Sequence, residues 1–145
     1  ATRDWHPEDH YSFEPNGGEW PPHCVQETRG AEFHPELNQE MLDYKLKKGF
    51  DPDDRSDYSG FSAETDDGEG MVEILNEAGA KRLFVVGLAL DYCVRATVLD
   101  GLSEGFEVML LEDCTAPVSE ADGKKAIEEI RSEGGKVSPS SDLEF

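Results

Sequence analysis

Basic residues are scarce. Thirteen Lys+Arg stand against 33 Asp+Glu, a formal net charge of −20 over 145 residues. Phosphate-rich partners need clustered Lys and Arg, so nucleic acid and anionic lipid surfaces are excluded as expected partners. Long apolar runs are absent too, since none approaches the ~20 residues that a membrane span needs. A basic start followed by an apolar stretch, the mark of a secretory signal, does not occur. Cysteine is limited to Cys24, Cys93 and Cys114, with no C-x-x-C spacing. That excludes a disulfide scaffold and points to a reducing, cytoplasmic compartment. Internal repeats and low-complexity segments are also missing.

Hydrophobic residues make up 37% of the chain, which is low. Low hydrophobicity with high charge is the composition of disorder. Here the apolar residues are concentrated in blocks, so a folded domain over 1–145 is expected, with a frayed tail at 138–145. A dense carboxylate coat repels itself in dilute buffer and is screened by salt, so adaptation to a saline host is expected. The first residue is Ala1 rather than Met, as in a processed or truncated product.

The chain opens on a loop-like third, with Pro7, Pro15, Pro21, Pro22 and the Asn16-Gly17-Gly18 turn signal. It carries three of the four histidines, His6, His10 and His23. A short helix is expected over 34–42 and a strand end over 44–48. Met71, Ile74, Leu75 and Ala78 recur at helical spacing. The run Leu83-Phe84-Val85-Val86-Gly87-Leu88-Ala89 suits a strand buried on both faces of a parallel sheet. A helix to Glu104, a strand over 106–111, a helix over 119–132 and a short strand at Lys136-Val137 follow. This alternation predicts an α/β fold, a mostly parallel sheet between two helical layers.

Leu88-Ala89-Leu90-Asp91-Tyr92-Cys93 places a cysteine at a strand-to-helix turn. A helix N-terminus lowers a thiol pKa and offers N–H groups to an oxyanion. The position suits a nucleophile, and it equally suits a buried structural cysteine. Asp4 and His6, at i and i+2 of an extended segment, point to one side. With a later histidine, His10 or His23, they make a one-carboxylate, two-imidazole set that suits Zn, Fe or Mn. Scattered loop histidines have the same spacing. Lys45, Lys47 and Lys48 are not ranked by composition, although a lysine near a thiolate would stabilise its charge.

Together these residues resemble a family. Thr2-Arg3-Asp4-Trp5-His6-Pro7, Trp20-Pro21-Pro22-His23-Cys24-Val25, Lys48-Gly49, Asp57-Tyr58-Ser59-Gly60-Phe61 and Val86-Gly87-Leu88-Ala89-Leu90-Asp91-Tyr92-Cys93-Val94 occur in the order seen in nicotinamidases. These are amidases of the isochorismatase-like cysteine hydrolases. The resemblance runs from Ala1 to about Val137. It implies hydrolysis of nicotinamide to nicotinate and ammonia, in NAD salvage. It implies that Cys93 is the nucleophile that forms a thioester and that Lys48 is the catalytic lysine. The N–H groups of Ala89 and Cys93 match the oxyanion hole, and the Leu88–Ala89 bond matches a cis peptide. Asp4, His6 and His23 match the ligands of one divalent metal ion, which the resemblance implies holds the pyridine nitrogen. Trp20 and Tyr58 match aromatic residues around the substrate ring. His10 matches a position near the metal in some members. Homo-oligomers are allowed by the resemblance.

One departure stands out. Family members begin with a strand carrying Asp-x-Gln-x-Asp-Phe, whose first aspartate is the base for the cysteine, and these 145 residues hold no such segment. The expectation is therefore an isochorismatase-like αβα fold lacking its first strand and helix, with weak or no activity on its own. The alternatives are a metal-independent amidase of the same fold, acting on a carbamoyl or maleamic-type substrate, and a non-enzymatic metal-binding or interaction module.

Overall fold

The computed structural model describes residues 1–55 and 58–143. The elements are β1 (Thr2–Asp4), β2 (Leu46–Lys48), α1 (Met71–Glu77), β3 (Arg82–Leu88), α2 (Arg95–Ser103), β4 (Glu107–Ala116), α3 (Glu120–Ser132) and β5 (Lys136–Ser138). All strand pairings between these elements are parallel, and helices flank them, an α/β arrangement. Contacts divide the chain into two units, Ala1–Ser56 with Ser62–Met71, and Asp57–Phe61 with Val72–Phe145. No helix among the described residues is long and apolar enough to cross a membrane.

In the first unit β1 pairs with β2, and Asp4 lies opposite Lys48. Between these strands the chain is mostly turns, held by isolated bridges His6–Val25 and Phe13–Trp20. Such a long irregular stretch needs its own core. Phe13 at 0% exposure, Ala31, Leu46 and Ala63 supply it. The helix expected over 34–42 is absent. Residues 39–41 form one 3-10 turn, and the Asn38 side chain accepts the Glu40 N–H at 3.2 Å. Asn competes for the backbone in this way at caps and turns. Residues 35–41 are all exposed, so no apolar face rewards a longer helix.

In the second unit the sheet order is β3-β4-β5. Val98 of α2, Ala126 and Ile130 of α3, and Val108 and Leu110 of β4 form the core, joined by Leu90 and Val94. Leu83 and Val85 pack against this cluster. The residues between them do not: Phe84 is 44% exposed, Val86 53% and Leu88 73%. The strand expected to be buried on both faces is thus covered on one, because both α2 and α3 pack on the Leu83–Val85 side.

α3 starts as its sequence directs. Ser119 caps it by accepting the Asp122 N–H, with Glu120 and Asp122 in the first turn and Arg131 in the last. α2 ends at Gly105, whose φ of +89° is available to glycine at little cost. β4 runs to Ala116, five residues beyond the expected strand. Of the stretch 138–145, Ser138 closes β5, and the Asp113 carboxylate accepts from both the N–H and the hydroxyl of Ser140 at 2.7 and 2.6 Å. Residues 144 and 145 lie outside the described residues.

Candidate active site

The first unit gathers Asp4, His6 and His23. One ligand atom from each lies within 4.8 Å of the others. Asp4 closes β1, and the chain continues extended: Trp5 N–H donates to Lys48 O at 2.9 Å and His6 N–H to Cys24 O at 2.9 Å. This extension puts Asp4 and His6 on one side, with His6 Nε2 3.8 Å from Asp4 Oδ2. The bridge to Val25 brings in the segment carrying His23, whose ring centroid is 5.1 Å from that of His6.

The tautomers fit metal binding. His6 Nδ1 lies 2.7 Å from Gly49 O, and His23 Nδ1 lies 2.8 Å from Pro21 O. A carbonyl only accepts, so each Nδ1 carries the proton and each Nε2 presents a lone pair. Burial pushes the His6 pKa down, outweighing the upward pull of the Gly49 carbonyl and of Asp4. A neutral imidazole is the form that coordinates. Gly49 is required here twice. Its φ is +63°, and a Cβ would meet the His6 ring at 2.5 Å.

His10 stays outside that trio but stacks on it, its ring centroid 4.1 Å from that of His6. Its Nδ1 meets Ser12 Oγ at 2.7 Å, while its buried Nε2 has no hydrogen-bond partner. Its pKa is also pushed down, by burial first and by His6 second. Phe13 touches all three rings, at 5.7 Å to His6, 5.6 Å to His10 and 5.3 Å to His23. Trp20 stands 6.0 Å from His23. Lys48 is 6% exposed, and its Nζ lies 2.5 Å from Asp4 Oδ1.

The second unit carries Cys93, Ala89 and Tyr58. Cys93 lies just after β3, in a π-type turn over Leu90–Val94 rather than in the first α-helical turn. Ala89 O accepts from both Tyr92 N–H and Val94 N–H at 3.1 Å. The Leu88–Ala89 peptide is cis. Cys93 is half-buried, and no disulfide joins Cys24, Cys93 and Cys114. Tyr58, 43% exposed, lies edge-on to Tyr92 with centroids 5.1 Å apart.

Several contacts around these residues were not legible locally. The Asp91 carboxylate accepts from Val118 N–H and Ser119 N–H, both at 2.9 Å. Arg95 forks onto Glu129 of α3, at 2.6 and 2.7 Å. Gln26 Nε2 donates to Trp5 O at 2.9 Å and Phe50 O at 3.0 Å, joining three separate stretches of the first unit. Asp4 and Asp91 are therefore both engaged, by Lys48 and by the start of α3.

A family model for the Isochorismatase domain matches residues 1–142. The chain is 39% identical over 134 residues to the nicotinamidase/pyrazinamidase of Mycobacterium tuberculosis, covering 90% of this chain and 70% of that protein. It resembles the crystal structure of the Pyrococcus horikoshii pyrazinamidase in complex with zinc, with 46% identity and a TM-score of 0.84 over 96% of this chain and 73% of that one. It also resembles the L. infantum PnC1 structure in complex with nicotinate, with 40% identity and a TM-score of 0.91 over 99% of this chain and 72% of that one. The chain thus spans about seven-tenths of the length of each.

Proposed function

The chain belongs to the isochorismatase domain family, and we propose that it carries the metal and thiol chemistry of a nicotinamidase, an amide hydrolase of NAD salvage in the cytoplasm. The observation that carries this reading is the trio Asp4, His6 and His23, whose ligand atoms converge with both Nε2 lone pairs available. A metal-independent amidase has no use for such a donor set.

In this reading Asp4, His6 and His23 hold one divalent ion of the Zn, Fe or Mn class. Such an ion, when bound, would supply a Lewis-acid contact for the pyridine nitrogen. His10, with its buried unpartnered Nε2, is the fourth group of the same pocket. The family resemblance assigns Trp20 and Tyr58 to the substrate ring.

Cys93 attacks the carboxamide carbon through its sulfur. The C=O pair moves onto oxygen, where N–H groups of the turn, from Ala89 and Cys93, receive the charge. The C=O bond re-forms as the C–N bond breaks, and the nitrogen leaves as ammonia with the proton that the Cys93 thiol gave up. Water cleaves the resulting thioester to nicotinate and regenerates the thiol. Lys48 is the lysine of this chemistry. Neither Asp4 nor Asp91 is assigned as the base, because each carboxylate is already committed.

The test uses the product of the complete coding region. Ammonia release from nicotinamide is expected and disappears in Cys93→Ala. Release that survives a tight chelator and metal-free buffer would instead favour the metal-independent amidase. No release from the wild type would refute the activity.

A further inference from the structure

Thr97 lies in α2, one turn beyond Cys93. Its Oγ1 donates to Cys93 O at 2.6 Å, a common back-bond for threonine in a helix. What is less common is the other half of the contact. The same oxygen accepts the Gly60 N–H at 2.8 Å, across 37 residues of sequence. One hydroxyl thus spends its proton on the nucleophile's own carbonyl and a lone pair on the loop next to Tyr58.

That loop is held at three successive residues. Ser59 is fully buried, and its hydroxyl accepts the Phe61 N–H at 3.1 Å. Gly60 is buried and bound to Thr97. The Phe61 ring lies 6.3 Å from Phe106. Tyr58 precedes this anchored run, and its ring meets Tyr92, the neighbour of Cys93. Tyr58 is therefore tied to the nucleophile turn by two routes, a ring contact and the Gly60–Thr97–Cys93 backbone route.

We propose that Thr97 is a positioning residue that holds Tyr58 in register with Cys93 and so sets affinity for the substrate ring. This rests on the nicotinamidase reading, in which Tyr58 is a wall of the ring pocket. The turn that carries Cys93 is held by main-chain bonds of its own, from Tyr92 N–H and Val94 N–H to Ala89 O. Loss of the hydroxyl therefore loosens the Tyr58 loop and leaves the thiol where it is.

The variant is Thr97→Val, which keeps the branched shape and removes both bonds. KM for nicotinamide is expected to rise roughly five- to tenfold, the loss of one part-buried hydrogen bond between Thr97 and Gly60. The kcat and the rate of Cys93 alkylation by iodoacetamide, followed on the Cys93 peptide, are expected to stay within about twofold, because the thiol's surroundings do not change. Thr97→Ser restores KM. In a Tyr58→Ala background Thr97→Val adds no further rise, since both act on one contact. An unchanged KM, an additive rise, or a loss of kcat without a KM change overturns the proposal. Hydrogen exchange at Gly60 is read in parallel, and Thr97→Ala serves where Val does not fold. Exchange is expected to quicken at least about tenfold on loss of the hydroxyl, and unchanged exchange overturns the proposal whatever the substrate. A wild type that releases no ammonia counts against the activity reading, and the exchange experiment still decides the role of Thr97.

Discussion

Lys48 and Asp4 face each other across the β1–β2 pair, Nζ 2.5 Å from Oδ1, with side chains only 7% and 19% exposed. Parallel register puts both at the ends of their strands, so each charge offsets the burial of the other. Removing Lys48 leaves the mostly covered Asp4 carboxylate without that cation. Lys48→Met is expected to lower the stability of the metal-free protein by about 3–5 kcal/mol. Adding Asp4→Asn to that variant should recover part of the loss. Urea unfolding in the presence of a chelator measures both, and a neutral Lys48→Met would contradict the burial argument.

The Gly49 backbone links this pair to the histidines. Its carbonyl fixes the His6 tautomer, and its missing side chain leaves room for the ring. Gly49→Ala is expected to weaken zinc binding by about 10–100-fold, the usual cost of a lost supporting contact. Competition with a chromophoric chelator reads this directly. His23→Ala should abolish stoichiometric metal in elemental analysis. Retention of about one ion per chain in His23→Ala would remove it from the ligand set.

Arg95 and Glu129 give a pH prediction away from the histidines. The Arg95 guanidinium holds the Glu129 carboxyl below the ordinary value of 4.5. A depressed carboxyl stabilises the fold above its unfolded pKa and loses that contribution as pH falls through the folded value. Both side chains are about two-fifths exposed, so the effect is small. At pH 7 the wild type should melt about 1–3 °C above Glu129→Gln, and the gap should narrow as the pH falls below the ordinary carboxyl value. A gap that widens on acidification would reverse the sign of the argument.

How much of this could be read along the chain depended on distance in sequence. Cys93 after an apolar strand, and Asp4 with His6 two residues apart, carry their meaning locally. The contacts that organise them do not. Thr97 acts on Gly60, Asp91 on Val118 and Ser119, and His6 on Gly49, and no spacing rule joins such pairs. The absent helix at 34–42 shows the converse. His34-Pro35-Glu36-Leu37 looked like a helix start, yet Asn38 competes for the backbone and no apolar face is buried. The exposed side of β3 was hidden because an unbroken apolar run reads alike whether one face or two are covered.

In the proposed reaction the Cys93 sulfur becomes acylated. The product of the complete coding region, mixed with nicotinamide and quenched in acid within milliseconds, should yield a nicotinoyl adduct on the Cys93 peptide by mass spectrometry. The adduct should vanish in Cys93→Ala together with ammonia release. Ammonia release from Cys93→Ala at the wild-type rate, with the thiol of the wild type unmodified at every quench time, would contradict the account.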